Sequence, residues 1–505
     1  MTSQAQQPEV TTQAGTVRGF WRDGSAAFLG IPFAEAPVGE LRFQAPVPHR
    51  PWDGVRDAVE YGATPQRKTL AEVTLIPEPS IEGESTLNVN VFTPSPERSD
   101  GVGLPVLVWI HGGGYVAGSP ASPWYDGAAF NRDGVVTVSV SYRLGFDGFG
   151  WIEDAPRNRG VLDWLLALEW VRDNIAAFGG DPSRVTLSGQ SAGGGAVQTL
   201  LAMPSAQPLF ARVISLSGPP TAATLEQSEA LGRKLAELGG VAPTVAGLST
   251  LTEAEVLALQ GQVSSLSAGD DPANPTNPED PLAGLKMLLG GDALTLGPVV
   301  DGELIPMATV DAYAAGIGAD KELILGATDN EFSMLLAGAA DSMAAVPPAA
   351  VLGGLGVNPA TIEAYVAEHE GLGTAALVGQ FVTDHMFRAP TLNLAEVRTA
   401  AGAPTWLYRF SWASPTMGGA VHCIDVPFMW DVLGDAHVAA IAGTEPPQPI
   451  ADELHASSVA FIAAGQPGWP AYDDADRAVR VYDVPTTVAR DGYGDTRALL
   501  PERVS

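Results

Sequence analysis

Short, nearly unbroken apolar runs recur along the chain at 104–110 (LPVLVWI), 135–142 (VVTVSVSY), 184–188 (RVTLS), 211–216 (ARVISL), 321–326 (KELILG) and 405–412 (TWLYRFSW). Runs of this length without polar alternation predict strands buried on both faces, the pattern of a parallel sheet sandwiched between helices. Residues 161–178 carry the opposite period: Trp164, Leu168, Val171, Ile175 and Phe178 follow a 4, 3, 4, 3 spacing and predict one helix with a single apolar stripe. Gly179-Gly180-Asp181-Pro182 predicts its stop. Strand, helix and strand in alternation predict a doubly wound α/β fold. Helical patterns dominate 222–289 and are interrupted at 268–281 (AGDDPANPTNPEDP), which reads as an exposed loop. The only other stretch of low complexity is 337–350, and no internal repeat is visible.

Composition narrows the field. The chain has 505 residues, 46% of them hydrophobic, enough apolar side chain for a large core. Its length first suggests about three domains. With 27 Lys plus Arg against 58 Asp plus Glu, the net charge is −31, so phosphate backbones and anionic lipid are repelled and no nucleic-acid partner is expected. One cysteine cannot form an intramolecular disulfide, which fits a reducing, cytoplasmic location. Residues 1–10 lack the basic and apolar regions of a signal peptide and read as a loose tail. No apolar run approaches the ~20 residues of a membrane-spanning helix, so no membrane association is expected.

Candidate chemistry begins at 184–202 (RVTLSGQSAGGGAVQTLLA), where a strand runs through Gly189-Gln190-Ser191-Ala192-Gly193 into a helix rich in small residues. G-x-S-x-G between strand and helix is a turn that presents a serine hydroxyl above the sheet; it is tight enough that side chains at 189 and 193 would clash. Ser191 is the candidate nucleophile, and the Ala192 N–H at the helix start is a candidate oxyanion donor. Upstream, the 104–110 strand ends in His111-Gly112-Gly113-Gly114-Tyr115. Consecutive glycines leave backbone N–H groups unshielded, so Gly113 and Gly114 are the further oxyanion candidates and His111 is expected to orient the loop. In this arrangement the acid and then the histidine follow the serine. Of the five histidines beyond Ser191, His369, His385, His437 and His455 read as structural or exposed. His422, in the loop Gly418-Gly419-Ala420-Val421-His422-Cys423-Ile424-Asp425, is the candidate base. For the acid, Asp329 and Glu331, just past the 321–326 strand, fit equally well.

Together these motifs resemble the type-B carboxylesterase family, which includes p-nitrobenzyl esterases, animal carboxylesterases and cholinesterases. The resemblance runs from Val10 to about Pro485 through 28–43 (FLGIPFAEAPVGELRF), 51–54 (PWDG), 141–145 (SYRLG), 174–195, 298–306 (PVVDGELIP) and 419–428 (GAVHCIDVPF). It implies an α/β-hydrolase fold: a mostly parallel central sheet with helices on both faces and a helical lid. The implied organisation is one catalytic domain over 11–490, lid insertions at about 222–290 and 335–400, and tails at 1–10 and 491–505. The family's glutamate motif lands on 326–332 and implies Glu331 as the acid. Ser217 and Asp425 match positions that support the serine and histidine. Gln190 stands where the family usually carries glutamate, which removes a buried negative charge and argues against cationic, choline-like substrates. Thr86 stands where a disulfide cysteine is common.

The expected function is therefore serine hydrolysis of carboxylic esters through an acyl-enzyme, with Ser191, His422 and Glu331 as triad and Gly113, Gly114 and Ala192 as oxyanion hole. Neither metal nor organic cofactor is implied. The expected partner is a small-molecule ester or carbamate, and the expected state is a monomer or small homo-oligomer. Two rivals stand beside it. Gln190 with His422-Cys423-Ile424 and Pro427-Phe428 is similar to bacterial phenylcarbamate hydrolases, which implies an aryl carbamate or anilide substrate. The family also includes adhesion relatives without activity, but these typically lose a catalytic residue.

Overall fold

The computed structural model describes residues 7–65, 75–96, 103–267, 285–286, 289 and 296–501. Eleven strands form one sheet: β1 (Phe20–Arg22), β2 (Ser25–Pro32), β3 (Asn88–Thr93), β4 (Leu104–Ile110), β5 (Val136–Val140), β6 (Gly180–Gln190), β7 (Arg212–Leu216), β8 (Glu322–Thr328), β9 (Thr405–Phe410), β10 (Ala478–Tyr482) and β11 (Thr487–Arg490). In space they run β11-β10-β9-β8-β7-β6-β4-β5-β3-β2-β1. From β10 to β5 every pairing is parallel, while β11 at one edge and β3, β2 and β1 at the other pair antiparallel. All six apolar runs are strands of the parallel portion, and the expected α/β-hydrolase architecture is present.

Why those runs lacked alternation is visible in their burial. Val106, Val108 and Ile110 of β4 enter the core on one face of the sheet, while Leu107 and Trp109 enter the core on the other. In β8, Leu323 and Leu325 are divided from Ile324 in the same way. Each strand thus needs apolar side chains at both phases of its two-residue period. The predicted helix is Arg159–Asn174, continued by a 3₁₀ turn at Ile175–Phe178, and all five residues of its stripe are buried in one core. Gly179 ends it in a left-handed conformation (φ 81°) that glycine adopts without strain.

Helices Leu225–Leu238, Val245–Leu248 and Glu253–Ser267 occupy the first expected insertion and share an apolar cluster with Phe43 and Phe146. The exposed loop predicted at 268–281 lies outside the described residues. The second insertion contains helices Pro348–Gly354, Pro359–Glu368 and Thr374–Thr383 and then a π-helical turn, Asp384–Arg388. The next helix, Ala389–Ala400, places Leu392, Leu394 and Ala395 in the core against the sheet. Glu9–Thr11 pairs with Thr16–Arg18 and buries Val10. Tyr493 is fully buried, accepting from the Ala327 N–H and donating to the Tyr408 carbonyl. Residues 1–6 and 502–505 lie outside the described residues. Among the described residues no single helix is long and apolar enough to cross a membrane.

Candidate active site

Strand β6 stops at Gln190, and helix Ala192–Leu201 begins one residue later, leaving Ser191 alone to make the turn at φ 57° and ψ −125°. A non-glycine residue held there stores about 1–3 kcal/mol of strain, tolerated only where the surroundings fix it. The two glycines explain how the turn closes. A Cβ on Gly189 would lie 2.4 Å from the Gly193 backbone, and one on Gly193 would lie 2.0 Å from the Ile110 carbonyl oxygen. The Ser191 N–H donates to the Leu216 carbonyl at 2.9 Å, tying the turn to β7. The predicted clash at 189 and 193 is thus found, and it arises because the helix starts directly above β4.

Beyond β8, residues Asp329 to Phe332 turn back over the sheet, and the two candidate acids part company. Asp329 forms a salt bridge with Arg409 of β9, with Nη2–Oδ2 at 3.0 Å. Glu331, 1% exposed, points inward. Its Oε1 accepts from Ser217 Oγ at 2.5 Å and from the Thr328 N–H at 2.8 Å, and its Oε2 meets His422 Nδ1. The two loops are also joined by backbone: the His422 N–H donates to the Glu331 carbonyl at 3.1 Å. Asn330 exchanges bonds with Ala420 through its own N–H and its Oδ1. Glu331 and His422 therefore come together across 91 residues of sequence.

The imidazole of His422 packs between Phe332 and Phe387, each ring centroid 5.0 Å away. Burial opposes the imidazolium, but the Glu331 carboxylate at Nδ1 favours it and holds His422 above the ordinary histidine value. The thiol of Cys423, itself buried, is pushed up, so it is neutral at neutral pH. On the far side of the ring, Gln190 Nε2 donates to His422 Nε2 at 3.1 Å. Gln190 Oε1 is buried without a partner.

The glycine loop after β4 lies against this turn, since a Cβ on Gly112 would sit 2.6 Å from the Gln190 carbonyl oxygen and 3.1 Å from Ser191 Cβ. Gly113 (φ 110°) and Gly114 (φ 62°) adopt conformations suited to glycine. Among the described residues the N–H groups of Gly113, Gly114 and Ala192 donate to no other protein group. His111 stacks on Tyr142, its Nδ1 bonds the Gly112 carbonyl at 2.8 Å, and burial lowers it to about 4. It is therefore a neutral brace for the loop. Ser217 meets Glu331 directly. Asp425 does not meet Ser191 or His422: its Oδ2 accepts from Tyr408 at 2.7 Å, its Oδ1 has no partner, and burial raises it to about 7.

The remaining histidines have partners of their own. His455 bonds the Met429 carbonyl and Asp133, His369 faces Asp384, His437 is exposed beside Asp435, and His385 stacks on Phe381. Sequence reasoning missed Phe387 and Asn330. Phe387 lies in the π-helical turn Asp384–Arg388 and packs on His422, a contact between residues 35 positions apart that the residue pattern around Phe387 does not mark. Among the described residues no group of three or more His, Cys, Asp or Glu side chains is placed to hold a metal ion.

Comparison with known proteins gives this geometry a context. The model of the carboxylesterase family matches residues 6–487. The chain is 32% identical over 512 residues to the para-nitrobenzyl esterase of Bacillus subtilis (strain 168), covering 97% of this chain and 98% of that protein. It is 34% identical over 510 residues to the phenmedipham hydrolase of Pseudarthrobacter oxydans, covering 96% and 97%. Among solved structures it resembles the carboxylesterase EST55 of Geobacillus stearothermophilus, with a TM-score of 0.80, 30% identity and coverage of 98% and 100%. With the family model and full-length relatives in agreement, the chain belongs to the carboxylesterase family and is a carboxylesterase-type hydrolase.

Proposed function

We propose that this protein hydrolyses small-molecule carboxylic esters through an acyl-enzyme on Ser191, with His422 as base, Glu331 as its orienting acid and the N–H groups of Gly113, Gly114 and Ala192 as oxyanion donors. The observation that carries the proposal is the buried contact between Glu331 Oε2 and His422 Nδ1, beside a serine on a turn that only paired glycines permit. As Ser191 Oγ bonds the ester carbonyl carbon, its proton passes to His422 Nε2 and charge collects on the carbonyl oxygen. Glu331 fixes the Nδ1–H tautomer and steadies the imidazolium. His422 then gives the proton to the departing alcohol, and a water activated by the same nitrogen releases the acid. Loss of one oxyanion donor is worth about 10²–10³ in turnover. The single cysteine supports a reducing, cytoplasmic setting.

The test is Ser191→Ala against p-nitrophenyl esters. We expect hydrolysis to fall to near background while the melting temperature holds or rises, because alanine relieves none of the packing; unchanged hydrolysis by the pure variant would refute the assignment. A second reading, cleavage of aryl carbamates or anilides with the same residues, draws on Gln190 and on the likeness to the phenmedipham hydrolase. A carbamate carbonyl is less electrophilic, so it demands tighter positioning and a good leaving group. Steady release of phenol or aniline from a carbamate panel would favour it, whereas stoichiometric inactivation would favour simple esters.

A further inference from the structure

Two aromatic rings close on one imidazole. Phe332 and Phe387 each place a ring centroid 5.0 Å from that of His422, tilted by 45° and 47°, and stand 5.3 Å from each other in an edge contact. Among the described residues neither ring joins the apolar cores on the two faces of the sheet or the clusters of the two insertions, so ordinary core packing does not account for them. Both are held from behind. The Phe332 N–H donates to Thr383 Oγ1 at 3.1 Å. Phe387 lies in the π-helical turn whose ends, Asp384 and Arg388, are buried and bonded to each other at 2.6 Å, with Arg388 also bonded to Asp495; such turns are frequent at functional sites. Resting on the reaction proposed above, we infer that Phe332 and Phe387 are positioning residues that stabilise the imidazolium form of His422 in the transition state, acting on its ring and not on its nitrogens. An aromatic face is electron-rich and draws a cation lying within about 6 Å of its centroid. The ring that can take the Ser191 proton is neutral, and it becomes a cation only on taking it. The attraction is therefore greater in the transition state than before it, which is the condition for accelerating a reaction. Contact through the ring also competes with neither proton transfer at Nε2.

Leucine in place of either phenylalanine removes the electron-rich face and keeps an apolar side chain, and it changes none of the charges around the base. Glu331 faces Nδ1 from the acid loop, where Asp329 is paired with Arg409; Cys423 and Asp425 lie on the loop of His422 itself; Asp384 and Arg388 of the π-helical turn are paired with each other; Gln190, at the end of β6, is uncharged. One interaction then has two readings. Phe387 is 4% exposed, and a desolvated ring favours a cation by about tenfold or more, whereas the half-buried Phe332 is worth about threefold. Loss of that preference lowers kcat by the same factor, and it lowers the pKa of His422 by about one unit for Phe387 and about half a unit for Phe332. The neutral base then persists to lower pH, so the acid limb of kcat/KM moves down in pH even as the plateau falls. An imidazole that was merely loosened would lose kcat with its acid limb in place.

The tests are Phe387→Leu and Phe332→Leu against p-nitrophenyl esters across pH. We expect kcat to fall about tenfold and about threefold respectively, with KM within about twofold of the parent and both acid limbs displaced to lower pH. Phe332 is half-buried, so its variant does not depend on how well Phe387→Leu folds. An independent readout is the titration of the His422 ring by NMR of labelled histidine, assigned by its loss in His422→Asn, which reports the aromatic contact whether or not any ester is cleaved. If the parent cleaves no ester, the proposed reaction falls, and the titration still decides whether the two rings favour the imidazolium. A His422 titration that moves to lower pH in both leucine variants supports the assignment. A titration that stays at the pH of the parent overturns it even where kcat has fallen, and so does a Phe387→Leu enzyme with kcat within twofold of the parent.

Discussion

Gly193→Ala tests whether the turn beneath Ser191 works by close approach of backbone, independently of any residue that handles protons. The added Cβ would sit 2.0 Å from the Ile110 carbonyl oxygen and 2.9 Å from the His111 carbonyl carbon, against the 3.4 Å at which ordinary contact begins. The neighbours are backbone atoms, so no side chain can swing away. Ile110 cannot yield, being paired with Val140 on one side and Gly189 on the other. The start of helix Ala192–Leu201 must therefore lift by more than about 1 Å, and it carries both Ser191 and the Ala192 N–H. Misplacement of reacting groups by that much costs about 10²-fold, and loss of one oxyanion donor costs about 10²–10³. Overpacking adds about 1–3 kcal/mol of destabilisation. We expect kcat/KM on p-nitrophenyl esters to fall at least about 10²-fold, beyond any change in folded fraction measured by circular dichroism and thermal melting. Gly353→Ala, whose Cβ meets only Ile362 Cδ1 at 3.9 Å, is the control and should leave both readings near the parent. A Gly193→Ala enzyme with rate and melting temperature like the parent would show that helix and strand are not in contact, and the geometric account of the turn would fail.

Two further predictions separate groups that lie close together. Glu331→Gln should lower kcat by about 10³–10⁴, because the amide cannot stabilise the imidazolium, whereas Asp329→Ala should leave kcat near the parent and lower the melting temperature by stranding the partly buried Arg409; equal losses of kcat would contradict the division of roles. For Asp425, the folded-state pKa of about 7 lies above its ordinary value of 3.8, so the fold holds a proton that the unfolded chain has released. Its contribution to stability therefore declines as pH rises from about 4 to about 7, by about 1.4 kcal/mol per unit, and is level above that. Asp425→Asn, which still accepts from Tyr408, should remove this decline: its melting temperature relative to the parent rises from pH 5 to pH 7 and then stays constant. A difference that does not vary with pH would mean that Asp425 is not buried as a neutral acid.

The strands were legible because burial on both faces writes itself as uninterrupted apolar runs, and the stripe from Trp164 to Phe178 was legible because its period matches one helix face. Gly189 and Gly193 were legible for a different reason, since a backbone approach that forbids Cβ leaves glycine as the only solution. The choice between Asp329 and Glu331 was not open to the same reasoning. Both carboxylates follow one strand, and what divides them is Arg409 on the next strand and Ser217 just past the end of the one before, residues 80 and 114 positions away. Resemblance to relatives pointed to Glu331 without supplying that cause. Phe387 and the bond from Gln190 to His422 were invisible for a related reason: each depends on where a distant loop ends, and neither residue type nor spacing encodes it. Gln190 did stand out, as a missing charge and as part of the likeness to phenylcarbamate hydrolases, but not as a neighbour of His422. Its place beside Nε2 changes that reading, because a substitution that removes a carboxylate also supplies a donor, and the donor is what the neutral imidazole accepts. Restoring the family's carboxylate with Gln190→Glu should therefore raise the rate on a cationic ester relative to a neutral one of the same size; an unchanged ratio would refute a link between this position and substrate charge.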